Sequence, residues 1–366
     1  MADYLIQGGV PLYGCVRLGG AKNASFKLMI GSLLADGESR LLNFSHISDV
    51  DITQDIITSL GGQVRSAGER TLFINPQGLK SFTIDKKFGH SSRASSLFVG
   101  PLLHRFHKAI FPLPGGDNVG PRPLDRHFAG LTALGATIKQ FGDLCQVSAE
   151  RLTGAEFTFD KPSHTGTETL IMAAVLAQGK TVIDNAALEP EVDDLIFFLN
   201  QMGAQIKRSR PRTITITGVS HLKPTIYKIM PDRNEAVSYA CAAIATKGDI
   251  VVENARSSHL KAFLDKLTAT GGGWETGNFG IRFYYRQPLK AVDVITQPHP
   301  GFMTDWQPLW AVLMTQAQGE SVIHETIHPH RFGYIPGLVN MGARIKLFNP
   351  QVTNKAKTYH FNRQDD

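Results

Sequence analysis

The stretch VLAQGKTVIDNAALEPEVDDLIFFLNQMGAQIK, residues 175–207, contains the pattern from which the fold can be predicted. An apolar, helix-like segment leads into a short run with strand propensity. An amphipathic segment follows, in which Val192, Leu195 and Phe198 are spaced to line one face of a helix. Gly203 comes directly afterwards, where a glycine ends a helix in the left-handed conformation at no steric cost. A second strand-like run completes the pattern.

The same order recurs in four other stretches of the chain. They are LLADGESRLLNFSHISDVDITQDIITSLGGQVR (33–65), LLHRFHKAIFPLPGGDNVGPRPLDRHFAGLTALGATIK (102–139), AIATKGDIVVENARSSHLKAFLDKLTATGGGWE (243–275) and TQAQGESVIHETIHPHRFGYIPGLVNMGARIK (315–346). The closing glycines are Gly61, Gly135, Gly203, Gly271 and Gly342, at spacings of 68 to 74 residues. Because a fixed period of this kind indicates repeated supersecondary units, we predict an α/β fold built from βαβαββ units. Coincidental spacing in a generic α/β protein is the alternative, and five copies in one order argue against it.

The bulk properties of the chain limit its class. A length of 366 residues exceeds what one core usually supports and predicts two domains. No apolar run approaches the roughly 20 residues that span a bilayer, and the first residues do not have the form of a secretory signal. Three cysteines, odd in number and far apart, argue against a disulfide framework and for a reducing compartment. We therefore expect a cytoplasmic protein.

The net charge of +6 is compatible with two kinds of partner. A nucleic acid is one, and small anionic substrates bound in a basic cleft are the other. The sequence contains no basic run of five or more residues and no aromatic-basic signature. Charge leaves the choice open, and the motifs favour small molecules over nucleic acid or a membrane.

The first candidate site cluster is GGAKNA, residues 19–24. Two glycines allow a backbone to approach a ligand closely, and Lys22 places a positive charge beside it. The GxxxxGK[ST] spacing of a phosphate-binding P-loop is absent. Taken alone, a turn that carries a solvated lysine explains the cluster as well.

The second cluster combines Arg93 with the loops PGGD (114–117) and GPRPLDRH (120–127). Its proline and glycine content predicts an ordered loop rather than a helix or a central strand. Arg93 and Arg122 supply fork-shaped donors that suit a carboxylate or a phosphate. Asp117, at the tip of the glycine loop, stands where a mobile acid could reach a substrate. The alternative is a decorated surface turn.

The third cluster, KPSHTGTE at residues 161–168, directly precedes an apolar helix-like segment. Hydroxyl groups and backbone N–H groups at the start of a helix bind anions readily. An N-cap with no further role is the alternative.

The fourth cluster, HPGFMTD at residues 299–305, also precedes an apolar helix, so Asp305 is either a helix cap or a general base. Glu325, His330 and Arg331 follow a later strand-like run. The trio of His328, His330 and Arg331 invites a metal interpretation, but no cysteine or second acidic ligand lies at a useful spacing. We predict neither a metal nor a cofactor.

In this order and at these separations, the clusters resemble the bacterial UDP-N-acetylglucosamine 1-carboxyvinyltransferases, which commit carbon to peptidoglycan. The resemblance runs from Tyr4 to about Leu347. It includes IQG (6–8), AKNA (21–24), the proline- and glycine-rich loop (114–127), NAALEPE (185–191), PDR (231–233) and PHPGFMTD (298–305).

The resemblance implies two inside-out α/β barrels of three βαβαββ units each, with the substrates in the cleft between them. The first domain, which carries the catalytic loop, is expected at 22–231, and the second at 1–21 plus 232–366. The family has a sixth unit that contributes further contacts to phosphoenolpyruvate, whereas five copies are found here. We therefore expect the second domain to lack its last unit and the sequence to belong to a longer protein.

The resemblance also implies a reaction, in which the enolpyruvyl group of phosphoenolpyruvate moves to the 3-hydroxyl of UDP-N-acetylglucosamine and phosphate leaves. The catalytic residues implied are Lys22, Asn23, Asp117 and Asp305, and the residues implied for phosphoenolpyruvate are Lys22, Arg93, Arg122 and Arg331. The residues implied for the UDP-sugar are Asn23, Arg93, Arg122, Pro123, Asp125, Arg126, His127, Lys161, His164, Thr165, Gly166, Asp305 and Ile327. Among them Lys161 and residues 164–166 would hold the diphosphate. Arg126 departs from the apolar residue usual in the uridine pocket, and SHTGTE is a variant of the commoner SVGAT form.

Asp117 is the main departure from the family within the catalytic set, because most members carry a cysteine there. An aspartate can still serve as the acid where burial and neighbouring negative charge raise its pKa. Roles as a nucleophile or a product-release gate stay open. We hypothesise that the enzyme resists fosfomycin, which alkylates the cysteine thiolate.

Two other functions compete with this interpretation. The shikimate-pathway enolpyruvyl transferase shares the repeat architecture, but its N-terminal catalytic lysine is typically followed by serine rather than by asparagine, as Asn23 is here. A non-catalytic UDP-sugar-binding paralogue is the alternative from a different class. The retention of Lys22, Arg93, Arg122 and Asp305 argues against it, since a pure binder needs no acid, base and phosphoenolpyruvate site together.

Overall fold

The computed structural model describes residues 5–89, 94–113 and 123–361, which form two compact units. The larger unit contains residues 20–89, 94–113 and 123–230. The smaller unit contains residues 5–19 and 231–361, so the chain starts in one unit, builds the other and returns.

The strands are short, with two to six residues each. In chain order they are β1 (Tyr13–Arg17), β2 (Ser39–Leu42), β3 (Gln63–Ser66), β4 (Thr71–Asn75), β5 (Lys108–Pro112), β6 (Thr137–Phe141), β7 (Leu144–Ser148), β8 (Glu156–Thr158), β9 (Lys180–Asp184), β10 (Gln205–Arg210), β11 (Thr213–Thr217), β12 (Ile226–Lys228), β13 (Asp249–Glu253), β14 (Gly273–Gly277), β15 (Gly280–Tyr284), β16 (Val294–Ile295) and β17 (Ile323–His324).

The helices alternate with these strands. They are α1 (Lys22–Ser32), α2 (Ser48–Ser59), α3 (Ala94–Leu97), α4 (Val99–Phe106), α5 (Asp125–Ala133), α6 (His164–Ala174), α7 (Pro190–Gln201), α8 (Arg233–Ala245), α9 (Lys261–Thr270), α10 (Gln307–Met314), α11 (Ile335–Asn340) and α12 (Lys355–Thr358), with 3₁₀ helices at Lys86–Phe88, Ser257–His259 and Thr304–Trp306. None of the described helices combines the length and the apolar character required to cross a bilayer.

In the larger unit, each copy of the repeat contributes one sheet. The strand orders are β12-β2-β4-β3, β5-β7-β6 and β10-β11-β9-β8. Pairing is antiparallel except where β12 joins β2 and β8 joins β9 in parallel. Burial alternates along strands such as β4 and β7, so each sheet turns one face to the core and the other outward.

Helices occupy the centre of the larger unit. Residues 24–32 of α1 and 166–174 of α6 are buried throughout, unlike the single apolar stripe of a surface helix. They belong to one continuous core with residues from all three sheets. The arrangement places helices inside and sheets outside, as the inside-out barrel predicts.

The smaller unit has its own core around α8. Its main sheet has the order β1-β13-β15-β14, and β16 pairs in parallel with β17. Phe302 packs edge-on against Trp306 and Trp310, with ring centroids 5.5 Å apart in each pair. This aromatic cluster supports the 3₁₀ turn that carries Asp305.

The repeat is confirmed by its closing glycines and wrong in one detail. Gly61, Gly135, Gly203, Gly271 and Gly342 all adopt left-handed conformations, with φ between 88° and 105°. After the first four, two strands follow as predicted. After Gly342, residues 343–350 form no strand, although their sequence has the same strand-like character. A strand exists only in a ladder with a neighbour, and the described residues place no partner beside this run.

Candidate functional site

Three of the predicted site residues, Arg93, Asp117 and Arg122, lie outside the described residues. The same holds for the whole segment 114–122, which contains the predicted glycine loop. The other predicted residues are distributed over the two units. The larger unit carries those from Lys22 to Gly166, and the smaller unit carries Asp305, Ile327 and Arg331.

Lys22 and Asn23 form the first turn of α1, and neither side chain is fully buried. The Nζ atom of Lys22 lies 3.3 Å from Oδ2 of Asp49, and about half of the lysine side chain is exposed. The backbone does make a close approach next to these residues, at Gly20, and its partner is the backbone of Asn43. A Cβ at Gly20 would lie 1.8 Å from the carbonyl oxygen of Asn43, so glycine is required there by packing.

The start of α6 gathers several of the predicted diphosphate residues. Ser163 caps the helix, its Oγ accepting a hydrogen bond from the Gly166 N–H at 3.2 Å. The Oγ1 atom of Thr165 lies 2.9 Å from Nε2 of the buried His127, which belongs to α5. This contact brings the second and third sequence clusters together. The N-cap that the sequence left as an alternative is present, and the contact between Thr165 and His127 lies in the same turn of the helix.

A buried ionic cluster links α1 to α6. Lys27 and Glu168 are 1% and 0% exposed, and Nζ of Lys27 lies 2.6 Å from Oε2 of Glu168. The same Nζ lies 3.1 Å from Nε2 of His164, whose side chain is partly exposed. Lys27, on the helix that begins within the first cluster, therefore joins α1 to the third cluster through side chains. No motif in the sequence predicts a role for Lys27 or Glu168.

Arg126, the predicted departure in the uridine pocket, is held by a neighbouring acid. Its Nε and Nη2 atoms donate to the two carboxylate oxygens of Asp160 at 2.5 and 2.7 Å. This bidentate contact lowers the pKa of Asp160 below its ordinary value. Pro123 and Asp125 are exposed beside it, at the start of α5, and Lys161 is half-buried.

In the smaller unit, Asp305 and Arg331 form an ion pair. Nη2 of Arg331 donates to Oδ1 of Asp305 at 3.0 Å, and the Asp305 side chain is 39% exposed. Asp305 is the second residue of the 3₁₀ helix Thr304–Trp306. The Asp305 carboxylate contacts an arginine, and within the described residues neither this 3₁₀ helix nor α10 begins with a side-chain cap hydrogen bond. The geometry therefore favours the accessible carboxylate over the cap.

Glu325 forms the centre of a buried network behind this pair. Its Oε2 accepts from the hydroxyl of Thr304 at 2.9 Å, and its Oε1 accepts from the hydroxyl of Thr296 at 2.9 Å. Oε1 also accepts from the backbone N–H groups of Ile327 and His328 at 2.7 and 3.1 Å. Burial raises the pKa of Glu325, although the four donors oppose the shift. Since Thr304 precedes Asp305, the network fixes the backbone that carries the candidate base.

The geometry supports anion binding in the larger unit and proton transfer in the smaller one. The larger unit offers Lys22, Lys161 and the amino terminus of α6, where backbone N–H groups and the helix dipole favour negative charge. The smaller unit offers a carboxylate with an arginine partner. Among the described residues, no group of three or more His, Cys, Asp or Glu side chains is placed to hold a metal ion.

Comparison with known proteins gives consistent results. The family model described as EPSP synthase (3-phosphoshikimate 1-carboxyvinyltransferase) matches residues 6–362. The UDP-N-acetylglucosamine 1-carboxyvinyltransferase 3 of Caldanaerobacter subterraneus is 42% identical over 95% of this chain and 83% of its own length. The UDP-N-acetylglucosamine 1-carboxyvinyltransferase of Chlamydia muridarum is 42% identical over 98% of this chain and 82% of its own length.

Solved structures match the fold. The enolpyruvyl transferase NikO from Streptomyces tendae superposes with a TM-score of 0.84 at 22% identity, covering 94% of this chain and 82% of that one. An EPSP synthase from Acinetobacter baumannii gives a TM-score of 0.64 at 17% identity, covering 86% of this chain and 73% of that one. The predicted enolpyruvyl transferase-like fold is therefore confirmed.

Proposed function

Because this chain belongs to the UDP-N-acetylglucosamine 1-carboxyvinyltransferases, within the EPSP synthase family, we propose that it transfers the enolpyruvyl group of phosphoenolpyruvate to the 3-hydroxyl of UDP-N-acetylglucosamine. Phosphate is the second product, and the reaction supplies peptidoglycan synthesis in the cytoplasm. The observation that carries the proposal is 42% identity to enzymes of that name over 95–98% of the chain.

The UDP-sugar reaction is favoured over the shikimate reaction, although the family model bears the shikimate enzyme's name. The solved EPSP synthase is only 17% identical to this chain, whereas the UDP-N-acetylglucosamine 1-carboxyvinyltransferases reach 42%. Asn23, which follows Lys22, agrees with this preference. The choice of acceptor therefore rests on sequence and not on the shared fold.

We assign phosphoenolpyruvate to Lys22, Arg93, Arg122 and Arg331, and its protonation to Asp117. The phosphate and the carboxylate of phosphoenolpyruvate carry negative charge, which cations fixed before the reaction stabilise best. Lys22 supports the assignment by its exposed position at the start of α1. Arg93, Arg122 and Asp117 are assigned from the sequence alone.

We assign the diphosphate of the sugar nucleotide to the start of α6, with Lys161, His164, Thr165 and Gly166. A helix amino terminus next to a lysine has the charge and the donors that a diphosphate requires. The uridine is assigned to Pro123, Asp125, Arg126 and His127, with Asn23 and Ile327 completing the UDP-sugar set. The contact between His127 and Thr165 supports a continuous surface for the nucleotide within the larger unit.

Asp305 is assigned as the general base. The carbon that accepts the sugar oxygen becomes electrophilic only when the methylene of phosphoenolpyruvate is protonated, so an acid and a base are both needed. Asp305 removes the proton of the 3-hydroxyl as the C–O bond forms. In the following step phosphate leaves and the new methyl group loses a proton, which restores the carbon–carbon double bond. The partial exposure of Asp305 and its anchoring through Thr304 and Glu325 support this role.

Resistance to fosfomycin is part of the proposal, since Asp117 replaces the cysteine that the inhibitor alkylates. The surroundings of all three cysteines raise the pKa of the thiol, which disfavours the thiolate that the inhibitor needs. Burial raises the pKa of Cys145 to about 11 and raises that of Cys241 further, while desolvation and Glu253 raise the pKa of Cys15. Incubation with fosfomycin should leave activity unchanged, and rapid inactivation would contradict this assignment.

The deciding measurement is phosphate release from phosphoenolpyruvate, with and without UDP-N-acetylglucosamine. Release that depends on the sugar nucleotide supports the transferase. Release with shikimate 3-phosphate in its place would favour the other acceptor. Binding of UDP-N-acetylglucosamine without phosphate release would favour a non-catalytic binder.

A further inference from the structure

In the cluster of Lys27, Glu168 and His164, the distances between the side chains indicate which ring nitrogen of His164 carries the proton. Lys27 is buried in the middle of α1 and touches both partners on α6, Oε2 of Glu168 at 2.6 Å and Nε2 of His164 at 3.1 Å. Oε1 of Glu168 lies 3.2 Å from the same Nε2. One histidine nitrogen therefore faces a cation and a carboxylate at once.

Lys27 determines whether Nε2 of His164 accepts a hydrogen bond from the lysine or donates one to Glu168. An ammonium group has three donors and no acceptor, so its contact with Nε2 requires Nε2 to accept. The imidazole is then neutral and carries its proton on Nδ1. An N–H on Nε2 would instead point a positive hydrogen toward the lysine at 3.1 Å, which is unfavourable where water does not screen the charge.

The proton on Nδ1 is available to a ligand. Nδ1 of His164 has no hydrogen-bond partner among residues 5–89, 94–113 and 123–361, and the side chain is 23% exposed. His164 is the first residue of α6, where backbone N–H groups also favour an anion. An imidazole N–H at this position adds a side-chain donor to the backbone ones.

We propose that Lys27 is a positioning residue for sugar-nucleotide binding, which holds His164 in the Nδ1–H tautomer so that the ring donates a hydrogen bond to the diphosphate. The proposal rests on the function proposed above. It assigns to Lys27 a role beyond neutralising Glu168, because the carboxylate alone would select the opposite tautomer. Without the lysine, Oε1 of Glu168 would accept a hydrogen bond from Nε2–H, and Nδ1 of the neutral ring would carry no proton.

The first test measures the tautomer directly in the ligand-free protein. Nitrogen-15 NMR of histidine-labelled protein distinguishes protonated from unprotonated ring nitrogens, and the loss of one signal pair in His164→Asn identifies His164 among the 13 histidines. The expected result is protonated Nδ1 and unprotonated Nε2 in the wild type and in Lys27→Arg, and protonated Nε2 in Lys27→Met. Protonated Nε2 in the wild type would overturn the proposal.

The second test measures the affinity for UDP-N-acetylglucosamine by calorimetry. His164→Leu removes the donor and should weaken binding roughly tenfold, as for one lost hydrogen bond to a charged group. His164→Asn places an amide N–H where Nδ1–H stood and should bind within about threefold of the wild type, since only a donor of similar position is needed. Equal losses in both variants would overturn the role of the ring.

The double variants separate positioning from packing. Lys27→Met should weaken binding roughly tenfold in the wild-type background and have little further effect in His164→Leu, because coupled residues are not additive. An equal loss in both backgrounds would show that Lys27 only maintains the fold. If Lys27→Met does not fold, the comparison of Asn and Leu at position 164 and the wild-type tautomer still decide the proposal.

These readouts also distinguish the proposal from the function on which it rests. A wild-type protein with the Nδ1–H tautomer that fails to bind UDP-N-acetylglucosamine would refute the proposed function, and with it the role of the ring in binding. A protein that binds the sugar nucleotide and releases phosphate but carries Nε2–H would leave the function intact and refute the role of Lys27.

Discussion

Each unit of the molecule contains a buried carboxylate near its candidate site residues, and the two are stabilised by different means. In the larger unit Glu168 is fully buried and faces a lysine, with Nζ of Lys27 at 2.6 Å. In the smaller unit Glu325 is 7% exposed and accepts four hydrogen bonds from two threonine hydroxyls and two backbone N–H groups. One carboxylate is balanced by a single cation, and the other by several neutral donors.

This difference predicts different consequences of mutation. A buried ion pair depends on both partners, because removal of one leaves the other charge in a medium that cannot solvate it. Where a carboxylate is held by several neutral donors, removal of its charge should lower the stability less, since each donor contributes only a part of the stabilisation. Changes at Lys27 and Glu168 should therefore act mainly on the stability of the protein. Changes at Glu325 should act mainly on the position of Asp305 and on the reaction rate that depends on it.

The largest effect is expected for Asp305→Asn, which tests whether the reaction rate depends on this residue of the smaller unit. Loss of a general base should lower kcat by about 10²–10⁴-fold. The free energy of unfolding should change by less than about 1 kcal/mol, because the Asp305–Arg331 pair is partly exposed. Steady-state kinetics and urea unfolding on the same preparation measure both. A variant that retains wild-type kcat would remove Asp305 from the mechanism.

The second effect is the destabilisation expected for Glu168→Gln. The substitution keeps the shape of the side chain and leaves Lys27 buried without a counter-charge, which should lower the free energy of unfolding by about 3–5 kcal/mol. Urea unfolding measures the loss. The matched control is the double variant Glu168→Gln with Lys27→Met, in which no charge is buried and much of the stability should return. A double variant as unstable as the single one would contradict the charge argument.

The third effect is smaller and depends on pH. In Glu325→Gln the amide oxygen still accepts hydrogen bonds and the Thr304 hydroxyl can turn to accept from the new N–H, so we expect a loss of only about 1 kcal/mol at pH 7. Burial raises the pKa of Glu325 above its ordinary 4.5, so the native state binds the proton more tightly than the unfolded state does. The stability that Glu325 contributes is therefore complete below about pH 4.5 and decreases as pH rises through the native pKa.

The measurement for Glu325 is the difference in unfolding free energy between wild type and variant across pH 4 to 8. Glutamine does not titrate, so the difference isolates this carboxyl from the other acids of the protein. The wild type should lose its advantage over Glu325→Gln as pH increases. A difference that grows with pH would mean that the four donors outweigh burial and that the pKa is lowered.

The fold could largely be predicted from the sequence because its signals are local. Apolar periodicity and the glycines at 61, 135, 203, 271 and 342 reflect the geometry of single helices and their C-caps, and all five glycines adopt the expected conformation. The run after Gly342 shows where local reasoning stops. Its residues have strand propensity, but a ladder needs a neighbouring strand, which no local pattern can supply.

The candidate site was predicted less completely, for a related reason. The motif residues that bear the resemblance could be named, but Lys27 and Glu168 could not be assigned a role. A signal existed, since each charged residue lies just before an apolar helical run. Lys27 directly precedes Leu28 to Ile30, and Glu168 lies two residues before Leu170 to Met172. The sequence could not pair them, because the contact depends on how α1 packs beside α6. These helices are far apart in the chain, and Lys27 lies 137 residues from His164.

The smallest effect is expected at the exposed ion pair of Arg126 and Asp160, which provides the surface counterpart of the buried pair. Its geometry is bidentate at 2.5 and 2.7 Å, yet the Asp160 side chain is 65% exposed. Solvent screening should limit the loss of stability in Asp160→Asn to less than about 1 kcal/mol, despite an ion-pair distance shorter than that of Lys27 and Glu168.

The contribution of this exposed pair should also depend on pH. Arg126 lowers the pKa of Asp160, so the contribution is present above the ordinary aspartate pKa of 3.8 and disappears as pH falls below it. A double-mutant cycle with Arg126→Met measures the coupling at pH 7 and at pH 3. A coupling as large as that of the buried pair would show that geometry, and not burial, sets the strength of these contacts.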